Sequence, residues 1–153
     1  MSLVLHLADE AATRRLGQTL AKRVRPGDVI ALFGTLGTGK STLARAFIRA
    51  LTSPDEEVPS PTFTLLQQYE AEPALIWHFD LYRLEKPDDA LELDIEEAFA
   101  DGICLIEWPE QLGRYLPKRR LDVMLETGDA EGERHATLTG HGAWAERIGD
   151  ITQ

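Results

Sequence analysis

Residues 34–41 read Gly-Thr-Leu-Gly-Thr-Gly-Lys-Ser, a full match to the phosphate-binding pattern G-x-x-x-x-G-K-[ST]. That spacing constrains the chain more than any other feature. Glycines at 34, 37 and 39 let the backbone take positive φ and approach a ligand closely. Amide N–H groups then turn inward as an anion nest at the positive end of the next helix. Lys40 supplies a charge for the terminal phosphates, and Ser41 offers a hydroxyl to Mg²⁺. The flanks agree. Asp28-Val-Ile-Ala-Leu-Phe33 reads as a buried strand running into the loop. Beyond it Leu43, Ala44, Phe47, Ile48 and Leu51 repeat at helical spacing, with Arg45 and Arg49 on the other face. Strand, glycine loop, helix is the order a nucleotide site requires.

The 153 residues fit a single domain spanning 1–153, long enough to bury a proper core. No apolar run approaches the ~18 residues that span a membrane. The start, Met-Ser-Leu-Val-Leu-His, lacks the basic region and long apolar stretch of a signal peptide, so a cytoplasmic location without membrane attachment is expected. Cys104 lies in an apolar run and reads as a small core residue. A net charge of −10 argues against a chain that grips nucleic acid by itself. Basic residues gather locally, at Arg14, Arg15, Lys22, Arg23 and Arg25 and again at Lys118, Arg119 and Arg120. Between Glu85 and Asp101 lie eight acidic side chains and one lysine, either a solvated helical face or a docking surface for a basic partner.

The remaining pattern predicts a strand at Leu3–Leu7 and a helix over Asp9–Val24. After a polar loop, Thr62–Glu70 and Leu75–Asp80 read as an antiparallel hairpin. Pro87–Ala100 is expected as two short helical pieces, Ile103–Ile106 as a strand and Pro109–Leu116 as a short helix or turn. Leu121–Thr127 and Glu133–Thr139 form a second hairpin, and His141–Ile151 a closing helix with Trp144, Ile148 and Ile151 inward. The expected fold is α/β, a three-layer phosphate-loop NTPase with a mixed sheet and antiparallel additions.

In open α/β sheets ligands sit beyond the carboxyl ends of the strands. Asp80 and Glu107 fall at two such ends. A magnesium nucleotide needs an oxygen donor beside the Ser41 hydroxyl, and hydrolysis needs a group that orients water. Thr62, in Ser60-Pro61-Thr62-Phe63-Thr64, lies where nucleotide switches often place a hydroxyl that senses the terminal phosphate, or else belongs to a proline turn that opens a strand. His78 alternates with Asp80 on one strand face and either supports the site or is a satisfied core histidine. Trp108 serves as a lid or as packing. Guanine-specific proteins of this fold use an Asn-Lys-x-Asp element, and the chain has no asparagine, which favours adenine.

Taken together, Gly34–Thr42, Ser60-Pro61-Thr62-Phe63-Thr64-Leu65, His78-Phe79-Asp80-Leu81-Tyr82-Arg83-Leu84 and Leu105-Ile106-Glu107-Trp108-Pro109-Glu110 resemble the TsaE family, small bacterial ATPases needed to make threonylcarbamoyladenosine in tRNA. The likeness runs to about residue 140. It implies that Gly37, Thr38, Gly39, Lys40, Ser41 and Thr42 wrap the phosphates of ATP, that Ser41 and Glu107 hold Mg²⁺, and that Asp80 assists hydrolysis, with Lys40 and Glu107 in the catalytic set. It also implies that Glu10, Glu110 and Arg134 lie near the nucleotide. The chain departs from the family at Thr35, where an acidic residue is usual, and in having Lys40-Ser41 where Lys-Thr is usual. Serine keeps the metal-binding hydroxyl. The implied partners are a TsaD-like threonylcarbamoyl transferase and its TsaB-like paralogous companion, which handle the tRNA, so that this chain meets RNA only indirectly.

Three functions remain in view. The first is an accessory Mg²⁺-dependent ATPase of a tRNA-modifying complex, weak alone and stimulated by partners. The second is a small-molecule kinase, which would add an arginine-bearing lid, for which only Lys118-Arg119-Arg120 is available. The third is a nucleotide-gated binding module without hydrolysis.

Overall fold

The computed structural model describes residues 1–151; residues 152 and 153, the end of the span expected as a single domain, lie outside it. Seven strands form one sheet: β1 (Ser2–Leu7), β2 (Val29–Phe33), β3 (Leu66–Tyr69), β4 (Ile76–Asp80), β5 (Ile103–Glu107), β6 (Leu121–Thr127) and β7 (Arg134–Gly140). Their order across the sheet is β1-β7-β6-β2-β5-β4-β3. The inner four, β6, β2, β5 and β4, run parallel. β3 pairs antiparallel with β4, and β7 and β1 extend the other side antiparallel, so both hairpins read from the sequence form. This is the mixed α/β sheet with antiparallel additions that the pattern predicts.

Parallel strands buried on both faces are apolar nearly throughout, as in Val-Ile-Ala-Leu of β2 and Ile-Cys-Leu-Ile of β5. Alternate residues feed two cores. Ile30, Leu32, Ile103 and Leu105 pack with Leu16 and Leu20 of α1 (Glu10–Ala21) and Leu43 and Phe47 of α2 (Lys40–Leu51). Val29, Trp77, Phe79, Cys104 and Ile106 meet Ile95 and Ala98 of α3 (Ile95–Asp101), together with Ala90 and Leu112 of two 3₁₀ segments. Cys104 is fully buried, and burial pushes its thiol pKa up, as suits a core residue.

Three elements differ from the sequence reading by more than one residue at an end. α1 ends at Ala21 rather than Val24, because Pro26 disfavours helix just before it and Gly27 turns the chain at φ +90°. β3 begins at Leu66 rather than Thr62, since residues 61–64 form a turn closed by Leu65 N–H to the Pro61 carbonyl. The closing helix shrinks to α4 (Trp144–Arg147), although Trp144, Ile148 and Ile151 are buried as expected. Arg147 ties that segment to the loop before β2 by bidentate bonds to Asp28, at 2.6 and 2.9 Å.

At the β6–β7 turn, Glu133 accepts the Ala130 N–H at 3.0 Å and pairs with His6 of β1. Those hydrogen bonds pull its pKa down to about 2. A carboxyl held below its unfolded value stabilises at neutral pH, and that contribution is lost as pH falls through about 2.

α1 and α2 cross closely because Gly17 has no side chain. A Cβ there would lie 2.6 Å from the Leu43 carbonyl oxygen, a backbone atom that cannot step aside. Gly17→Val should therefore destabilise the fold by about 1–3 kcal/mol through overpacking. Arg15→Val, on the exposed side of α1, should change stability by less than about 0.5 kcal/mol. Urea denaturation of both variants checks this.

Candidate functional site

Three consecutive parallel strands, β2, β5 and β4, end side by side. β2 runs into the glycine loop, β5 ends on Glu107, and β4 ends on Asp80, which stands opposite Glu107 in register. By strand alternation His78, Asp80 and Glu107 all face the side covered by α2. All three side chains are buried, and Asp80 and Glu107 border a cleft of about 310 Å³ whose walls also include Gly37, Gly39, Lys40, Ser41, Thr42, Thr62, Trp108 and Arg134, with His78 behind Glu107.

The loop is built for close approach. Gly34 has φ +140°, and a Cβ there would lie 2.7 Å from the Leu125 carbonyl oxygen. Thr38 folds back, its hydroxyl donating to the Thr35 carbonyl at 2.9 Å. α2 is capped by the left-handed Gly39, and among the described residues no side chain caps its first-turn N–H groups. Lys40 is buried. Its Nζ donates to the Gly34 carbonyl and sits 3.7 Å from the centroid of the Trp108 ring. Desolvation lowers the Lys40 pKa, opposed in part by Glu107, then Glu110, then Asp80.

Glu107 is oriented by His78, whose Nε2 bonds Oε2 at 2.7 Å. His78 Nδ1 is buried and has no partner among the described residues. That pattern fits the tautomer that carries its proton on Nε2, because a buried unpaired N–H costs more than an unused lone pair. His78 is therefore the supporting residue of the two readings left open by the sequence. Asp80 accepts the Thr62 hydroxyl at 3.0 Å and the Tyr82 N–H at 3.1 Å, and Thr62 also meets Ser60 at 2.7 Å. The turn that shortens β3 is what delivers the Thr62 hydroxyl to Asp80. Trp108 holds a left-handed backbone at φ +58°, a strained state for a bulky side chain, and packs on Tyr82 with ring centroids 5.0 Å apart.

Arg134, almost a hundred residues from the loop, lies directly on it. Nε donates to the Thr38 carbonyl at 2.8 Å and Nη2 to the Gly37 carbonyl at 3.1 Å. A small recess of about 50 Å³ beside it is lined by Glu10, Thr13, Gly39, Thr42 and Gly132, so Glu10 joins the loop at α1. Glu110 lies on the opposite side, in a cleft of about 440 Å³ with Gly34, Thr35, Trp108 and Met124. The expected site residues thus converge, with Glu10 and Arg134 on one flank of the loop and Glu110 on the other. Arg83 stacks on the exposed Phe63 ring, 4.4 Å from its centroid. Arg120, the end of the basic triplet, is engaged by Asp122 at 2.7 Å and by the Pro117 carbonyl.

Sequence reasoning left two elements of this site open that geometry supplies: the His78 bond to Glu107 and the Trp108 ring over Lys40. The first had a signal in the shared parity of β4 and β5. The second depends on the left-handed turn at Trp108, which no residue pattern announces.

The chain matches the profile of the family described as "Threonylcarbamoyl adenosine biosynthesis protein TsaE" over residues 7–136. It is 40% identical over 140 residues to the protein named "tRNA threonylcarbamoyladenosine biosynthesis protein TsaE" of Nostoc sp., covering 88% of this chain and 84% of that one. The protein of the same name from Bacillus subtilis is 35% identical, with 84% and 81% covered. That of Rickettsia conorii is 37% identical, with 88% and 77% covered. Among solved structures, the one described as Bacillus subtilus YdiB superposes with a TM-score of 0.76 at 27% identity, over 97% of this chain and 91% of that one.

His78→Phe should cost about 1–3 kcal/mol of stability, because the buried Glu107 carboxylate loses its donor. Adding Glu107→Gln should recover part of that loss, since a neutral amide is cheaper to leave unpaired. A double-mutant cycle by chemical denaturation measures the coupling.

Proposed function

The chain belongs to the TsaE family, and on that premise we propose that it is an ATP-binding and ATP-hydrolysing accessory protein in the formation of threonylcarbamoyladenosine in tRNA. The observation that carries the reading is the convergence of the phosphate loop, Glu107 and Asp80 at adjacent parallel strand ends.

The proposed roles combine the family resemblance with this geometry. Gly37, Thr38, Gly39, Lys40, Ser41 and Thr42 offer backbone N–H groups and one cation to the phosphates of ATP. Lys40 now leans on a carbonyl and an indole face, and a triphosphate supplies the stronger counter-charge. Arg134 braces the loop by its carbonyls and adds positive charge on the flank shared with Glu10, while Glu110 borders the other flank.

Ser41 and Glu107 would hold Mg²⁺. A hydroxyl and a carboxylate whose other oxygen is already fixed by His78 suit a hard cation that prefers oxygen ligands and keeps several for water and phosphate. Among the described residues no three His, Cys, Asp or Glu side chains gather as a closed protein cage, which agrees with a metal held jointly with substrate. When bound, Mg²⁺ supplies charge neutralisation at the phosphates. Asp80 lies beyond Glu107, where a carboxylate can accept a hydrogen bond from water and orient it. Thr62, held on Asp80, is placed to trade that bond for one to the terminal phosphate.

The partners proposed are a TsaD-like transferase and its TsaB-like companion, with tRNA met through them. Arg83 is stacked on Phe63, so a cation supplied across an interface would raise turnover, by roughly 10³–10⁵ in known cases. All eight acidic side chains from Glu85 to Asp101 are exposed, as a docking face for a basic partner requires. Engagement of Arg120 by Asp122 and Pro117 leaves the kinase reading without its lid arginine at that position.

Lys40→Ala should abolish or severely weaken ATP binding while leaving the fold intact, as read by calorimetric titration with Mg²⁺ and by thermal melting. Glu107→Ala should weaken Mg²⁺-dependent binding. Asp80→Ala should instead leave affinity nearly unchanged and slow turnover, because an interaction made only in the transition state affects rate rather than affinity. If the parent chain shows no ATP turnover with the partners and tRNA present, the site is a nucleotide-gated binding module instead; if it turns over and Asp80→Ala leaves the rate unchanged, the role given to Asp80 is wrong.

A further inference from the structure

A cleft of about 770 Å³ lies between α1 and α2, beside the phosphate-loop cleft and sharing only Thr42 with it. Arg14, Lys22, Arg45 and Arg49 line it, four cations on a chain of net charge −10. Glu10 is the single acid in the lining and already pairs with Arg14 at 2.8 Å. Among the described residues neither Lys22 nor Arg45 has a carboxylate partner. Between the cations Ala46, Leu51 and Pro54 give the lining an apolar stretch, with Gln18 and Thr42 as its neutral polar members.

We propose that this cleft is a docking site for an acidic amphipathic segment of a partner protein. The charge selects an anion, and the apolar floor selects the class. A peptide helix can lay alkyl side chains on Ala46 and Leu51 while its carboxylates meet the arginines. A phosphate backbone would satisfy the rim and leave that floor uncovered, and no aromatic side chain lines the cleft to stack a base. α1 and α2, 12 residues each, are about 18 Å long, enough to seat three helical turns. Thr42, next to Ser41, borders both this cleft and the phosphate-loop cleft. Occupancy of one should therefore change affinity in the other by the same factor. That coupling rests on the proposed nucleotide site; the docking itself does not.

Fluorescence anisotropy on the full chain tests the docking, with a labelled three-turn helical peptide of glutamate, leucine and alanine. The comparison probes are its lysine-for-glutamate counterpart and an oligouridylate of similar length. The acidic peptide should bind and the lysine peptide should not. The double substitution Lys22→Glu, Arg45→Glu should weaken binding about tenfold or more, and so should Ala50→Glu, which puts a charge at an exposed position of the lining. Circular dichroism should show all variants folded, and ATP affinity should stay within about twofold of the parent in the absence of peptide. The proposal falls if the acidic peptide fails to bind, or binds parent and variants alike. It also falls if oligouridylate binds more tightly and is lost with the same substitutions, which would make the cleft a nucleic-acid surface. Failure of the nucleotide reading would show separately, as absence of ATP binding by a chain that still binds the peptide.

Discussion

The parallel pairing of β4 with β5, in the register that sets Asp80 opposite Glu107, is the constraint on which the candidate site depends. Two acidic side chains at neighbouring strand ends would repel in isolation. Here each is given its own donors: His78 for Glu107, and Thr62 with the Tyr82 N–H for Asp80. Lys40 lies near both and partly offsets their charge. A one-residue slip of β4 would turn His78 and Asp80 to the opposite face, toward α3, and Glu107 would be buried without its donor. Apolar packing on both faces forbids that slip, because Trp77 and Phe79 are shaped into one core and Ile76 into the other. Hydrophobic alternation thus sets the chemistry of the cleft.

The same economy governs the loop. A loop able to cradle an anion, as proposed here, needs backbone that is close-packed behind and open in front. Behind Gly34 stands the Leu125 carbonyl, and on one flank Arg134 bonds two loop carbonyls. Those bonds take up acceptors, so that donors are what remain on the ligand side. The strained Trp108 turn carries its ring to Lys40, closing the opposite wall. Strain of this kind persists where neighbouring structure over-determines it, and β5 on one side with Pro109 and the 3₁₀ segment on the other supply that determination.

Much of this was legible in the residues. The loop pattern, the strand before it and the helix after it are local, and local spacing reports local structure faithfully. Asp80 and Glu107 were visible as acids ending apolar runs, and the antiparallel hairpins were visible from their turns. The errors were local too. Thr62–Leu65 looks like strand by composition, yet a turn wins there, and it puts the Thr62 hydroxyl on Asp80. The closing helix was overlong because burial of Trp144, Ile148 and Ile151 mimics a longer helical face than four residues provide.

The sequence by itself determined the glycine loop between strand and helix, the alternation that sorts each strand into two cores, and the presence of two strand-end carboxylates, since all three are written in spacings of a few residues. Tertiary structure alone decided which distant groups meet. Arg134 reaches the loop because β7 lies beyond β6, which pairs with β2. His78 reaches Glu107 because β4 and β5 are neighbours in one register. Four cations share one cleft because Gly17 lets two helices cross at backbone distance. These are contacts between segments tens of residues apart, and their geometry is set by sheet order and helix crossing, which no short pattern encodes.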